Sequence, residues 1–278
     1  MSQLIQLRQR LKAIGTFKKI TGAMRIVSRS LHTRMNKQKK HLLEYQQLIQ
    51  DLFFDLQGQS QWTCDILFPE PTAPEKILYV IVGAQKGLCG NYNTELNYWI
   101  ENNLSVLKAK NVSIMTFGKK TSNLIKQHSL NIFQQAPELK NSTLETLADT
   151  LTNLLLKSVP SYTQVFLVHA HPETFFTHRL RKDTLIPFEK KQEEKSNDTF
   201  WQHCPKLILD TLAHMYLHCL IYNALFSSLL GEQSARFLAM DNATRSANNL
   251  LDTMQLQYNK IRQTKITREL TELSSNFK

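Results

Sequence analysis

Cysteine is scarce in this sequence, and the four cysteines present follow no recognisable pattern. They lie far apart, and no CxxC pair occurs. A disulfide framework or a structural zinc site needs regularly spaced cysteines, so the sequence excludes both as organising features and predicts free thiols. The four residues are Cys64, Cys89, Cys204 and Cys219.

Long hydrophobic runs are also missing. The most apolar run, 217–230, is interrupted by His218, Asn223 and two serines, and it is shorter than the roughly 20 residues that a membrane-spanning helix needs. The first twelve residues, MSQLIQLRQRLK, lack the apolar core of a secretory signal and have a helical period instead. The sequence therefore predicts no transmembrane helix and a cytosolic setting.

Acidic residues are almost absent from the first 50 positions. Eleven Lys and Arg residues stand there against the single Glu44, a local charge of +10, whereas residues 207–278 hold seven basic and six acidic side chains. The excess of the whole chain, +11, therefore lies mainly in its first segment. Such a segment predicts an acidic partner, whether nucleic acid, anionic lipid or an acidic protein surface.

Sequence motifs of nucleotide binding and of nucleophilic catalysis are absent too. Gly83, Gly87 and Gly90 are spaced GxxxGxxG, which differs from the dinucleotide fingerprint, and the segment GKKT at 118–121 lacks the upstream glycine of a phosphate loop. No GxSxG or HExxH occurs. We interpret the glycines as a structural turn, and we expect neither a cofactor nor a catalytic residue.

Two pairs of histidines could suggest a metal. His169 and His171 flank one residue of a predicted strand, and His214 and His218 are four positions apart, where two imidazoles of one helix can share an ion. No third ligand stands at a matching spacing in the sequence. The sequence therefore predicts no metal site.

The longest regular pattern lies at the C-terminal end, over residues 236–276. Apolar or small residues recur there every three or four positions without an intervening proline or glycine, which predicts a long helix with a single apolar stripe. The stripe comprises Met240, Ala243, Ala247, Leu250, Met254, Tyr258 and Ile261. A helix with one narrow stripe requires a partner helix.

A comparable stripe runs along the basic N-terminal segment. Steps of three between Ile14 and Ile20 would shift it around the helix, and Gly15 and Gly22 each cost about 1 kcal/mol relative to alanine. The stripe includes Leu4, Leu7, Leu11, Ile14, Phe17, Ile20, Met24, Val27, Leu31 and Met35. We predict that helices within residues 1–58 and 201–278 pair as an antiparallel coiled coil.

Between the two helices, the sequence changes character twice. Residues 59–75 contain three prolines and are predicted to form a linker. Over residues 76–200, strand-like and helical runs alternate, which predicts a largely parallel, Rossmann-like α/β domain. Its last segment, 178–200, is polar and charge-mixed, and KKQEEKSND at 190–198 is predicted to be a mobile loop. The strands are predicted at 76–83, 112–117, 130–133 and 164–170, and the helices at 94–107, 119–127 and 143–157.

Three segments carry a resemblance to a known family. They are KKITGAMRIVS at 18–28, GLCGNYNTEL at 87–96, and SARFLAMDNATRSANNLLDTMQLQYNKIRQTKITRELTEL at 234–273. In this order, with the helices and the α/β domain in place, the chain resembles the gamma subunit of the F-type ATP synthase over nearly its full length.

The resemblance implies a mechanical function. In that family, the terminal helices form the central shaft inside a ring of three alpha and three beta subunits, and the α/β domain lies beside epsilon and the ring of c subunits. Ion flow, of protons or sodium ions, turns the shaft, and the chemistry occurs on beta. The resemblance therefore implies a non-catalytic, peripheral subunit at the cytoplasmic face of the bacterial inner membrane.

It also implies a set of contact residues. The beta-subunit levers are acidic in this family, and the basic residues Lys18, Lys19, Arg25 and Arg29 would face them. Arg236, Arg262, Gln263 and Thr267 would make polar contacts with alpha and beta, with Met24 and Cys89 near the levers. Trp201, Gln202 and His203 would lie at the foot near the c ring, where the family commonly has Tyr-Glu-Pro, so a carboxylate is missing. Gly22 likewise replaces the usual lysine of the KITKAM-like motif.

Two other classes of protein compete with this interpretation. A basic coiled-coil protein that binds nucleic acid or an anionic membrane would explain the +10 segment, but not the nearly neutral C-terminal helix. A nucleotide-dependent enzyme built on the central domain would explain the glycine turn, and its ligand would raise the thermal stability of the chain.

Overall fold

The computed structural model describes residues 2–59, 76–158, 162–175, 177–187 and 205–276. Two long terminal helices and a central mixed sheet with flanking helices confirm the predicted fold class. In chain order, the elements are α1 (Ser2–Gln59), β1 (Ile77–Val82), α2 (Tyr92–Asn102), α3 (Leu104–Leu107), β2 (Val112–Phe117), α4 (Lys119–Gln127), β3 (Ile132–Gln135), α5 (Leu144–Ser158), β4 (Gln164–Pro172), β5 (His178–Ile186) and α6 (Pro205–Asn276).

The chain forms two compact units, and α1 and α6 contribute to both. The helical unit comprises Met1–Ser30 and Arg236–Lys278, and the α/β unit comprises Leu31–Ala235. From residue 60 onward, the predicted linker lies outside the described residues, as does the charged stretch 190–198. The domain limits drawn from the sequence at residues 58, 75 and 200 therefore stay a prediction.

In the helical unit, α1 and α6 pair in antiparallel fashion. Thr21 contacts Thr244, and Arg25, one turn later on α1, contacts Asp241, which is earlier on α6. The buried positions repeat with the steps of three and four that a two-helix seam requires. They are Thr21 and Ser28 on α1, and Arg236, Met240, Thr244, Ala247 and Met254 on α6.

This seam differs from the predicted N-terminal stripe. The stripe residues Phe17, Ile20, Val27 and Leu31 are exposed, and so is Leu250 of the C-terminal stripe. The helix keeps a regular repeat in which Thr21 and Ser28, seven positions apart, take the buried places. The predicted shift of the stripe around the helix between Ile14 and Ile20 was wrong. The stripe was drawn through apolar residues only and so left out Thr21. A threonine can be buried when its hydroxyl bonds to a carbonyl of its own helix, as Thr21 does to Phe17 at 3.1 Å.

The α/β unit is built on one five-stranded sheet with the strand order β3-β2-β1-β4-β5. The first four of these strands are mutually parallel, and β5 pairs with β4 in antiparallel register. The central strand β1 is almost wholly buried, which explains its continuous apolar sequence, since both faces of a parallel sheet are covered.

Two apolar cores lie on the two faces of this sheet. One contains β1 residues such as Val80 together with buried residues of α5 and α6, including Leu151 and Leu225. The other contains Ile81 with Leu96 and Ile100 of α2 and with Ile125 of α4. The alternation of Val80 and Ile81 between the two cores follows from the two-residue period of a strand.

The prediction differs from the structure at one helix and at one strand. The helix expected over 94–107 is divided at Asn103, whose side-chain amide donates to the Trp99 carbonyl at 2.8 Å and ends α2. The edge strand β5 lies in the polar, charge-mixed segment 178–200, for which no strand was predicted. Its alternating arginines, Arg179 and Arg181, face solvent, so the strand has a polar sequence that gave no strand signal.

Within the α/β unit, α1 and α6 also pack against each other. Phe53 of α1 and Tyr216 of α6 stack with ring centroids 5.7 Å apart, beside Ile49, Leu209 and Ala213. Cys89 and Cys219 are buried free thiols, as predicted, whereas Cys64 and Cys204 lie outside the described residues. Within the described ranges, every helix is too short or too polar to cross a lipid bilayer.

Candidate functional site

The centre of the helical unit holds a buried polar contact between the two long helices. The hydroxyl oxygens of Thr21 and Thr244 are 2.9 Å apart, and the two residues are only 2% and 7% exposed. Thr21 also lies 3.1 Å from the Phe17 carbonyl oxygen. Thr21 therefore donates to its own helix and accepts from Thr244. A buried polar pair of this kind fixes the register between two helices.

One turn away, Asp241 lies between two guanidinium groups. Arg25 Nη1 is 2.8 Å from one carboxylate oxygen across the helix pair, and Arg245 Nη2 is 2.7 Å from the other on the same helix. The hydrogen bond from Arg25 holds the pKa of Asp241 below its ordinary value, against the opposing effect of burial, and the charge of Arg245 acts in the same direction. Arg25 therefore already has an ion-pair partner within the chain.

The remaining cations of α1 in the helical unit have no such partner in the part of the chain that the structure describes. Residues 2–30 contain seven basic residues and no acidic one. Among the described residues, only Arg25 of these seven forms an ion pair. Lys18, Lys19 and Arg29 are exposed. Lys18, Arg25 and Arg29 are spaced seven and four positions apart, so they share one face of the helix. We call the exposed cations Lys18, Lys19 and Arg29 the basic belt.

Large apolar side chains are exposed beside the basic belt. Phe17, Ile20, Ile26 and Val27 are 52%, 54%, 65% and 57% exposed. Surface apolar residues are common singly, but a concentration on one short stretch of helix indicates a surface that another protein covers. We call these four residues the apolar collar.

The C-terminal end of α6 extends beyond the helix pair. Because each antiparallel step advances one residue on each helix, the contacts at Thr21–Thr244 and Arg25–Asp241 put the start of α1 beside about residue 263. The predicted contact residues Arg262, Gln263 and Thr267 are all exposed at this point. The Thr267 hydroxyl bonds to the Gln263 carbonyl at 3.0 Å, which leaves its oxygen free to accept from a partner.

The other predicted contact residues have different surroundings. Met24 is half-buried and Arg236 is buried, both in the helical unit. Cys89 is buried in the α/β unit, where Asn93 Nδ2 donates to its sulfur at 3.1 Å, so its side chain is part of the core. Trp201, Gln202 and His203 lie outside the described residues.

Gly83, which opens the glycine turn after β1, and Gly118, which follows β2, have a packing role. Gly118 has a φ of +96°, and a Cβ there would lie 2.6 Å from the Gly83 carbonyl oxygen. A Cβ on Gly83 would lie 2.3 Å from Thr121 Oγ1. The ends of β1 and β2 therefore approach each other too closely for side chains, which supports the interpretation as a structural turn.

One histidine of each sequence pair has a carboxylate partner that the sequence did not reveal. His169 Nε2 is 2.8 Å from Asp183, which also accepts from Arg181 Nε at 2.7 Å. Burial acts to raise the pKa of Asp183, but the hydrogen bond and charge of His169 and the charge of Arg181 outweigh it, so the net shift is downward. His218 Nε2 of α6 lies 3.0 Å from Asp149 of α5. Both carboxylates come from other elements, so no local spacing could have indicated them.

Solved structures show that this fold is a known one. A chain of the Euglena gracilis mitochondrial ATP synthase, in its assembly of OSCP, F1 and c-ring, superposes with a TM-score of 0.71 at 15% identity, covering 99% of this chain and 94% of that chain. A chain of the Tetrahymena thermophila mitochondrial ATP synthase central stalk and c-ring gives a TM-score of 0.57 at 20% identity, covering 81% and 99%. At these identities, the likeness shows a shared fold.

Sequence comparison is more specific. The ATP synthase gamma chain of Rickettsia prowazekii is 29% identical over 284 residues and covers 98% of each chain. That of Clostridium botulinum strain Hall is 28% identical over 280 residues, covering 97% of this chain and 95% of the relative. A family model described as ATP synthase matches residues 3–278. The chain therefore belongs to the ATP synthase family, among its gamma chains.

Proposed function

We propose that the chain is the central rotor shaft of an F-type ATP synthase, which couples ion flow through a membrane sector to conformational change at catalytic sites on beta subunits. Its membership of the gamma-chain family supports this role. The observation that carries the proposal is the outer surface of the helical unit, where the basic belt and the apolar collar lie together without partners among the described residues. The chain itself performs no chemistry in this role.

The basic belt contacts acidic levers of the beta subunits. Lys18, Lys19 and Arg29 are exposed, and residues 2–30 offer them no acidic residue. Contacts between exposed charges are worth about 0–1 kcal/mol each. Bonds of this strength break easily as the shaft turns, so each lever can be released and the next one engaged. Arg25 contributes less directly, because Asp241 already binds its guanidinium.

The apolar collar and the end of α6 contact the surrounding ring of three alpha and three beta subunits. Phe17, Ile20, Ile26 and Val27 would be covered by that ring. Arg262, Gln263 and Thr267 would make polar contacts with alpha and beta, as would Arg236, and Met24 would lie near the levers. An unpaired α6 end can enter a narrower space than a helix pair can.

The α/β unit carries the remaining contacts of the assembly. We place epsilon and the ring of c subunits beside this unit, with Cys89 in its core and Trp201, Gln202 and His203 toward the c ring. The related Tetrahymena chain comes from a central stalk and c-ring structure, which supports this arrangement. The chain would then be peripheral, held by protein contacts at the cytoplasmic face of the bacterial inner membrane.

Charge reversal in the basic belt tests the proposal. In the complex purified with Arg29→Glu, we expect ATP-driven ion pumping to fall relative to ATP hydrolysis, because a lever would meet a like charge on the shaft. The measurement is the ratio of the initial pumping rate in membrane vesicles to the hydrolysis rate of the same vesicles.

Lys37→Glu is the matched control, because Lys37 is an exposed cation of α1 that belongs to the α/β unit. It makes the same change of charge and should leave the ratio close to that of the unmodified complex. An unchanged ratio for Arg29→Glu in a fully assembled complex would show that the basic belt does not take part in coupling. Failure of the chain to co-purify with alpha and beta subunits would refute the rotor assignment itself.

A further inference from the structure

Three side chains with metal-ligating atoms meet between α5 and α6 in the α/β unit. Glu145 and Asp149 stand four positions apart on α5, so both point from one face of that helix. His218 of α6 lies opposite them. One ligating atom from each of the three lies within 4.8 Å of the other two.

His218 and Asp149 are in direct contact between α5 and α6. His218 Nε2 is 3.0 Å from Asp149 Oδ1. The nitrogen is buried, yet its orientation makes no hydrogen bond to any described residue. A separation of 3.0 Å lies within the distance that two ligands of one metal ion can have.

Negative charge is concentrated at this point. Among the described residues, neither Glu145 nor Asp149 forms an ion pair with a lysine or an arginine. Tyr222, one turn after His218, lies near enough that the charge of Glu145 adds to the effect of burial in raising the pKa of its phenol. Within the described part of the chain, no lysine or arginine therefore compensates these two carboxylates, and His218 is the one basic side chain recorded beside them.

We propose that Glu145, Asp149 and His218 form a binding site for a divalent transition-metal ion of the Zn²⁺ class. One imidazole nitrogen and two carboxylate oxygens are ligands that Zn²⁺ accepts, at bond lengths of about 2.0–2.2 Å. Two ligands of one such ion lie at most about 4.2 Å apart, on those bond lengths. Glu145 and Asp149 are exposed, so a small rotation of their side chains brings the three atoms to this spacing. Water completes the coordination.

The bound ion would connect α5 to α6. Its ligands come from residues 69 positions apart at the closest, Asp149 and His218, so the ion would act as a cross-link within the α/β unit. An ion that binds the folded chain and not the unfolded one stabilises the folded state. The site would therefore strengthen the unit without touching the rotor contacts of the helical unit.

Titration of the full-length chain with ZnCl₂ tests the site. We expect saturable binding of one ion in isothermal titration calorimetry, with a rise of the melting temperature over the same concentrations. Co²⁺, used as a spectroscopic substitute, should give a visible absorption band typical of nitrogen and oxygen ligation. His218→Ala should weaken binding by about tenfold or more and remove the shift in melting temperature.

Two further variants keep the proposal falsifiable if His218→Ala fails to fold. Asp149→Asn and Glu145→Gln change exposed carboxylates to amides of the same shape, and each should weaken binding as well. His214→Ala is the matched control, since His214 lies one turn earlier on α6 and outside the group, and it should bind Zn²⁺ with less than about a twofold change in affinity.

Three results would overturn the proposal. The first is the absence of saturable Zn²⁺ binding by the unmodified chain. The second is unchanged affinity in Asp149→Asn and Glu145→Gln, which would mean that Zn²⁺ binds elsewhere among the nine histidines. The third is an equal loss in His214→Ala, which would assign the ion to the histidine pair instead. None of these results depends on the rotor function.

Discussion

Thr21 and Thr244 join the two long helices through hydroxyl oxygens 2.9 Å apart, at a position where an ordinary helix seam would be apolar. Each hydroxyl also has a carbonyl oxygen of its own helix within reach, that of Phe17 or Met240. The pair can therefore be tested as a unit. We expect a double-mutant cycle of Thr21→Val and Thr244→Val to give a coupling energy of about 0.5–1.5 kcal/mol.

The physical reason is that each single variant removes the interhelical bond, whereas the double variant replaces both partners with apolar groups of the same shape. We therefore expect the double variant to be at least as stable as the better single variant. Chemical denaturation of all four proteins measures this. Strictly additive effects would mean that the two hydroxyls do not interact.

Asp241 should make the helical unit sensitive to acid. Its pKa is lowered in the folded state, so its stabilising contribution is present above the ordinary value of 3.8 and is lost as the pH falls through the folded pKa. Because Arg25 and Arg245 are partly exposed, Asp241→Asn should cost at most about 1 kcal/mol at pH 7.

The difference between Asp241→Asn and the unmodified chain should therefore shrink once the pH falls below 3.8. Asp252→Asn, an exposed aspartate on the same helix with no ion pair among the described residues, is the control and should show no such pH dependence. Melting temperatures of the unmodified chain and of both variants, measured between pH 3 and pH 7, test this expectation. A constant difference across that range would exclude the ionised carboxylate as the cause.

Gly118 should not tolerate a side chain. Its φ of +96° and the 2.6 Å approach of a Cβ to the Gly83 carbonyl oxygen predict that Gly118→Ala costs about 1–3 kcal/mol. Gly87→Ala is the matched control, because the nearest atom to its Cβ is the end of the Lys120 side chain at 3.7 Å, and it should change stability by about 0.5 kcal/mol or less. If the two variants lowered the melting temperature equally, the packing role of Gly118 would be contradicted.

The apolar collar should matter for assembly and not for the stability of the free chain. Phe17→Ser with Ile20→Ser removes two side chains that are more than half exposed, so the melting temperature of the isolated chain should hardly change. Recovery of the chain with alpha and beta subunits after gel filtration should fall. Val106→Ser, which alters an exposed apolar residue of the α/β unit, should leave assembly intact. Normal assembly of the double variant would mean that the ring does not cover the collar.

The fold class was predictable because its signals are local. The period of α6 and the alternation of strands such as β1 and β2 with helices are properties of short stretches, and the structure has them at nearly the predicted positions. The exact seam was not predictable in this way. Choosing Thr21 and Ser28 over Phe17 and Ile20 depends on which face meets α6, and apolar character alone points to the wrong face.

The contacts between distant residues could not be predicted from the sequence for a related reason, because they depend on how different elements pack together. β5 was not predicted because its sequence is polar and charge-mixed, and it is a strand through its pairing with β4. Asp183 beside His169, and Asp149 beside His218, join different elements of the chain. The resemblance to a family supplied the contact residues, and for Cys89 it gave a residue that the structure buries in the core.

Direct observation of rotation tests the central claim. In a complex with its beta subunits fixed to a surface, a bead would be attached to Tyr98→Cys, an exposed position of α2, in a chain with Cys64 and Cys204 changed to serine. The buried thiols of Cys89 and Cys219 should not react. On addition of ATP, the bead should turn continuously in one direction. A bead that stays still in complexes that hydrolyse ATP would contradict the rotor account.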